Sequence, residues 1–216
     1  MCRLLLVENP GGFSPCAHLD AFKQLSRQSR EFQGHGWGCA WLDSNRQWQQ
    51  YHNIQPVWED SESFPTTTLF IAHARSAFRD EGIKVENNMP FGDEENVFVF
   101  NGELQGVKIK AEGRIGAEKI FNTLKRFYRN DYAEATRRAV MVINRRTRYV
   151  RAMNFFVASS GAVHVCSQFA EQPDYFQLRT TQWQGTRIIC SHPYDFGSAE
   201  WQCVDNNCVY TLKLVN

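Results

Sequence analysis

Hydrophobic and polar positions along the chain switch repeatedly between a strand-like and a helix-like spacing. The segment Cys2 to Glu8 is apolar apart from Arg3 and its last residue, Glu8, which predicts a buried strand. Asn9-Pro-Gly-Gly12 is expected to break it. Residues 17–31 place Leu19, Phe22 and Leu25 at helical spacing. Gly34-His35-Gly36 opens a second strand, Trp37 to Leu42, and the turn signal Asp43-Ser44-Asn45 makes Gln47 to Tyr51 its hairpin partner. Thr67 to Ala74 and Asn96 to Phe100 read as further strands. Each ends in a polar cluster, His73-Ala-Arg75-Ser76 and Asn101-Gly102.

Residues 115–143 read as two amphipathic helices divided near Asn130-Asp131. Ile120, Leu124 and Phe127 mark one apolar face, and Ala133, Val140 and Ile143 the other. Beyond Tyr149 the chain is β-rich, with strands expected at Val150–Phe156, Val163–Gln168, Tyr175–Thr180, Ile188–Ser191 and Val209–Leu214. Strands, then paired helices, then strands fit a layered α+β fold with two antiparallel sheets between helical layers. A length of 216 residues at 43% hydrophobic suits one domain spanning 1–216.

Composition narrows the functional classes. Net charge is +1, and the pairs Arg137-Arg138 and Arg145-Arg146 are too short to form a nucleic-acid footprint. No stretch reaches the roughly 18–20 apolar residues of a membrane helix. The first apolar run meets Glu8 too soon for a signal peptide, so a cytoplasmic location is expected. Seven cysteines without a tight Cys-x-x-Cys pair read as free thiols. Cys203 and Cys208 lack the second pair that a zinc site needs, and no metal or cofactor is implied.

Cys2 directly follows the initiator Met. A small residue there permits Met removal, which would put a nucleophilic thiol and a free α-amine on one residue. That amine, with an unperturbed pKa of roughly 7.7–8.0, can serve as general base to the thiol and later protonate a leaving amine. Asn101-Gly102 after a β run can aim a side-chain amide and a backbone N–H at one point, although the same pair also makes hairpin turns. Arg75, after another strand, offers a planar fork for a carboxylate or for a surface ion pair. Trp37 between Gly36 and Gly38 supplies a rigid wall where backbones approach closely.

Taken in order, Met-Cys2-Arg-Leu-Leu, Gly36-Trp37-Gly38, His73-Ala-Arg75-Ser-Ala77, Glu86-Asn87-Asn-Met-Pro90-Phe91 and Phe100-Asn101-Gly102-Glu-Leu104 resemble the class II glutamine amidotransferases. They are most similar to the small stand-alone branch with γ-glutamyl hydrolases of ergothioneine biosynthesis and glutathione breakdown. The run Ile189-Cys-Ser191-His-Pro193-Tyr-Asp195 extends the likeness toward the C-terminus. The resemblance implies an αββα N-terminal-nucleophile sandwich. It implies Cys2 as nucleophile, Asn101 and Gly102 as oxyanion donors, and Arg75 on the substrate carboxylate. Trp37, Gly38 and the segment Asn87 to Phe91 would line or brace the pocket. The expected partner is a small amide. With no synthase domain before Asn216, ammonia would go to a separate accepting protein or to solvent, and a homo-oligomer is compatible.

Two positions depart from the family pattern. Phe100 stands where the family has His. Gly116 stands where it has the Asp that holds the α-ammonium of glutamine, and Glu118 is expected to turn about half a helical turn away. Loss of that charge-assisted bond would cost about 1.5–3 kcal/mol in binding. Free glutamine is therefore not the expected best substrate. The competing reading is a non-catalytic binding or assembly protein on the same fold. A papain-like enzyme using Cys2 with His73 is disfavoured, because that chemistry needs an internal Cys at a helix start.

Overall fold

The computed structural model describes residues 1–77 and 81–214. A first strand, β1 (Arg3–Phe13), is followed by helix α1 (Cys16–Arg27), the hairpin β2 (Trp37–Leu42) and β3 (Trp48–Asn53), and strand β4 (Thr67–Ala74). Short β5 (Phe91–Gly92) and long β6 (Asn96–Val107) precede helices α2 (Gly116–Phe127) and α3 (Tyr132–Arg145). Then come β7 (Thr147–Ser159), β8 (Ala162–Ser167), α4 (Pro173–Phe176), β9 (Arg179–Trp183), β10 (Thr186–Cys190), β11 (Gln202–Cys203) and β12 (Cys208–Lys213).

The strands form two antiparallel sheets. One is seven-stranded in the order β11-β9-β10-β1-β4-β2-β3, and the other five-stranded in the order β12-β8-β7-β6-β5. Period-two geometry sorts the apolar run of β1 onto two faces. Leu4 and Leu6 join Leu69, Ile71, Val97 and Phe100 in the core between the sheets. Leu5 and Val7 face the other way, with Leu19 and Phe22 of α1. The α2–α3 pair closes the far side through Ile120, Leu124 and Ile143. The result is the α+β, four-layer αββα sandwich expected from the sequence. No helix among the described residues is long and apolar enough to cross a membrane.

Several boundaries differ from expectation. Asn9-Pro-Gly-Gly12 does not end β1. The strand continues through a register shift between Glu8 and Phe13, where β4 still pairs with it. Helix α1 stops at Arg27 rather than residue 31, since the polar stretch beyond it has no apolar face to bury, and Ser29 is taken up by Arg3, whose Nε donates at 3.2 Å. Tyr175 and Phe176 belong to α4, not to a strand. Pro173 opens that turn with its fixed φ, so the β-forming aromatics enter the core from a helix. Asn101-Gly102 does not end a strand either. β6 runs on to Val107, paired along its length with β7.

Candidate active site

Cys2 stands immediately before β1, where the chain enters the seven-stranded sheet between β10 and β4. A cleft of about 900 Å³ opens there. Its lining includes Cys2, Arg75, Asn87, Gly102 and Gly116. Residues from widely separated parts of the chain thus meet at one opening.

The Cys2 thiol is held by backbone. Ser76 N–H donates to Sγ at 3.4 Å, and Sγ lies 3.6 Å from the Ser76 carbonyl oxygen. Burial pushes the thiol pKa above its ordinary value. The N-terminal ammonium, the Ser76 N–H and the Arg75 charge oppose that rise, while Glu31 adds to it. With Met1 in place the thiol is therefore neutral at physiological pH. Among the described residues no imidazole hydrogen-bonds to it. His73 is fully buried, and burial together with the Arg75 charge pushes its pKa down to about 3. A Cys–His pair is not assembled, which removes the papain-like reading.

Arg75 follows β4 and is 4% exposed. Its backbone is clamped to the loop before β2: its N–H donates to Gly36 O at 2.9 Å, and its carbonyl accepts from His35 N–H at 3.1 Å. Its guanidinium donates to Gly82 O at 2.9 Å and approaches Asn88 Oδ1 at 3.4 Å. Asn87 Nδ2 donates to the same Gly82 carbonyl at 2.9 Å. The fork is thus oriented in advance beside the cleft.

Asn101 is completely buried in β6, and neither its Oδ1 nor its Nδ2 has a hydrogen-bond partner among the described residues. Leaving one such group unsatisfied costs about 1–3 kcal/mol, so the amide is held against its own stability. Its neighbours Phe100 and Gly102 both line the cleft. A Cβ on Gly102 would lie 2.2 Å from Ala152 O, so only glycine lets β6 and β7 approach this closely. Gly102 shares the cleft lining with Cys2 and Arg75, whereas Asn101 itself is not among the lining residues.

Trp37 sits differently from expectation, while Gly38 does not line the cleft. Trp37 lies beneath α1, fully buried with Leu5, Phe22 and Phe70, and its Nε1 donates to Asp60 Oδ2 at 2.9 Å. It points to the opposite face of its sheet and does not line the cleft. Gly38 does not line it either, but it braces it: a Cβ there would meet Met89 O at 2.6 Å, and Met89 does line the cleft.

Gly116 is the first residue of α2, and a Cβ on it would meet nothing within 4 Å. No carboxylate projects from that position. Glu118 turns to Arg114, whose Nη2 donates to its Oε1 at 2.6 Å, and lies outside the cleft lining.

Sequence reasoning missed Ser76, Glu31, Gln33 and Tyr175. Ser76 acts through its backbone, which no side-chain pattern reveals. Glu31 and Gln33 look like an ordinary polar stretch, and Tyr175 arrives from the far end of the chain. Met1 is bound by these last three. Its ammonium pairs with Glu31, and its carbonyl accepts from Gln33 Nε2 and Tyr175 Oη, each at 2.6 Å.

No protein-family profile matches the sequence, and no curated protein sequence does either. Solved structures do match. A glutamine phosphoribosylpyrophosphate amidotransferase from B. subtilis superposes with a TM-score of 0.67 at 14% identity, over 98% of this chain and 49% of that one. This chain thus spans about half the length of that enzyme. A glutamine aminotransferase class-II domain protein from Silicibacter pomeroyi matches with a TM-score of 0.61 at 12% identity, over 100% of both chains. A protein described as a predicted glutamine amidotransferase from Pseudomonas aeruginosa PA01 matches with a TM-score of 0.60 at 13% identity, again over 100% of both.

Proposed function

For a chain with the fold of class II glutamine amidotransferase and N-terminal-nucleophile domains, we propose a Cys2-dependent amidohydrolase acting on a γ-glutamyl-type or related small amide. The observation that carries this reading is the cleft that Cys2, Arg75 and Gly102 line together, with the buried, unpartnered Asn101 amide next to Gly102 in β6. Removal of Met1 frees the Cys2 α-amine. That amine takes the thiol proton as Sγ attacks the amide carbonyl. Asn101 Nδ2 and the Gly102 N–H receive the developing oxyanion. The intermediate collapses to a thioester on Cys2, and the leaving amine takes the proton back. Water then adds to the thioester under the same amine, releasing the acid and restoring the thiol. Arg75 holds the acyl group's carboxylate, and Asn87 braces the Gly82 carbonyl that orients Arg75.

Gly116 shapes specificity. With glycine at position 116 and the Glu118 carboxylate engaged by Arg114, an amide with a blocked or absent α-amine, or a different acyl group, fits better than free glutamine. If the amide is primary, the product ammonia passes to a separate accepting protein or to solvent. Gly116 also favours a second reading, a non-catalytic binding protein on this fold.

Turnover of glutamine, γ-glutamyl amides and simple acyl amides by Met-free protein, compared with Cys2→Ala, separates the two readings. Turnover that Cys2→Ala abolishes is the expected result. Absence of turnover and of thiol labelling at Cys2 would leave the binding protein.

A further inference from the structure

The contacts of Met1 are more elaborate than an initiator residue requires. Its ammonium meets the Glu31 carboxylate, its carbonyl is held from two sides by Gln33 and Tyr175, and its side chain packs beside Phe169 on the Tyr175–Phe176 cluster. The holders are themselves fixed. Gln33 is fully buried, and its Nε2 also donates to Glu31 O at 2.9 Å. The Tyr175 ring is stacked by the guanidinium of Arg3 at 4.2 Å and that of Arg30 at 4.9 Å. Gln33 Oε1 is buried without a hydrogen-bond partner among the described residues.

We propose that Glu31, Gln33 and Tyr175 form an amine seat that, once Met1 is excised, holds the α-amine of Cys2 and sets its orientation and basicity. The catalytic meaning of the seat rests on the N-terminal-nucleophile reading above. Excision makes the Cys2 nitrogen the terminus. Amide geometry puts that nitrogen roughly 2.2 Å from where the Met1 carbonyl oxygen sits. The Tyr175 hydroxyl and Gln33 amide, both 2.6 Å from that oxygen, therefore lie at most about 4.8 Å from the new terminus, a gap that a side-chain adjustment closes. An ammonium offers three N–H donors. Glu31 supplies a carboxylate, Tyr175 a hydroxyl that accepts as readily as it donates, and Gln33 its unpartnered Oε1 once the amide turns.

The charges facing this nitrogen oppose one another. Arg75 after β4 acts on Cys2, and Arg3 on β1 and Arg30 after α1 stack on Tyr175, so positive charge faces the seat. Glu103 on β6 is committed to Arg151 at 2.9 Å, and His73 on β4 is neutral. Glu31 already binds an α-ammonium in this structure, which makes it the counter-ion for the new one. As positioning residues, all three act through the Cys2 amine.

The test is a titration of that amine. Met-free Cys2→Ala protein, with and without Glu31→Gln, is acylated with a small amine-directed reagent across a pH series. Modification is read from the mass of the N-terminal peptide. The expected result is a downward shift of the amine pKa of about one pH unit on Glu31→Gln substitution, with Glu31→Asp restoring most of it. In the Cys2 protein the same substitution moves the acid limb of kcat/KM downward by a similar amount. Tyr175→Phe, which keeps the stacked ring, lowers kcat while leaving KM unchanged. Equal amine pKa values with and without Glu31→Gln, at unchanged circular dichroism, overturn the seat. The titration needs no turnover. An inert protein with the shift would sink the hydrolase reading alone, and an active one without it would sink the seat alone.

Discussion

The Ser76 N–H donates to Cys2 Sγ at 3.4 Å, so the residue that touches the thiol is the one that directly follows Arg75. A single backbone segment leaving β4 thereby sets both the thiol and the guanidinium. Since Arg75 is clamped to the loop at Gly36, the spacing between the two groups is fixed by main-chain hydrogen bonds. With Met1 retained, burial outweighs this favourable environment and keeps the thiol protonated. Iodoacetamide is expected to alkylate Cys2 of Met1-bearing protein several-fold more slowly at pH 7 than the exposed Cys16. Peptide mass mapping over time measures both sites in one sample.

Gly116→Asp restores a carboxylate at the first position of α2. The site accepts a Cβ without contact, and an acid in the first helical turn adds about 0.3–1 kcal/mol of stability. The expected outcome is a rise of roughly 10-fold or more in kcat/KM for free glutamine, with little change for amides that lack an α-amine. A steady-state comparison of the two substrates reads this directly. Equal changes for both would mean that the acyl group does not extend toward α2.

Gly102→Ala puts a methyl 2.2 Å from the Ala152 carbonyl oxygen, a backbone atom that cannot step aside without parting β6 from β7. A loss of at least about 2 kcal/mol is expected in urea unfolding. Activity falls as well, since the strand that carries Asn101 must shift. Gly161→Ala, at a position whose Cβ meets nothing within 4 Å, is the matched control and leaves stability nearly unchanged.

Stability falls on the acid side. Burial pushes His73 down to about 3 and His18 down to about 4, so the folded chain binds fewer protons than the unfolded chain below pH 6.5. Stability is then full above pH 6.5 and is lost as pH falls from 6.5 toward 4. Each histidine contributes a slope of up to about 1.4 kcal/mol per pH unit. Urea midpoints recorded across this range should decline, and His73→Asn should flatten the decline.

Much of the architecture was legible because burial imposes periodicity. The unbroken run Leu4–Val7 read as a buried strand, and the spacing of Ile120 and Leu124 as a helix with one apolar side. The ordered motifs carrying Cys2, Arg75, Asn101 and Gly102 were local, so they could be read before any contact was known. Other features were decided by packing between distant segments. β6 passes through Asn101-Gly102 because β7 supplies a continuous partner, overriding a turn-prone pair. The direction of Trp37 follows from which face of its sheet α1 covers, and sequence spacing is silent about which face that is. The sequence by itself determined which groups could do chemistry and that the chain layers helices over two sheets. Only the tertiary structure decided that Trp37 stays out of the cleft, that Ser76 touches the thiol through its backbone, and that Glu31, Gln33 and Tyr175 gather at the chain start. The physical reason is that backbone donors and long-range contacts leave no periodic signature. They come into being when strands and loops far apart in the chain are brought together.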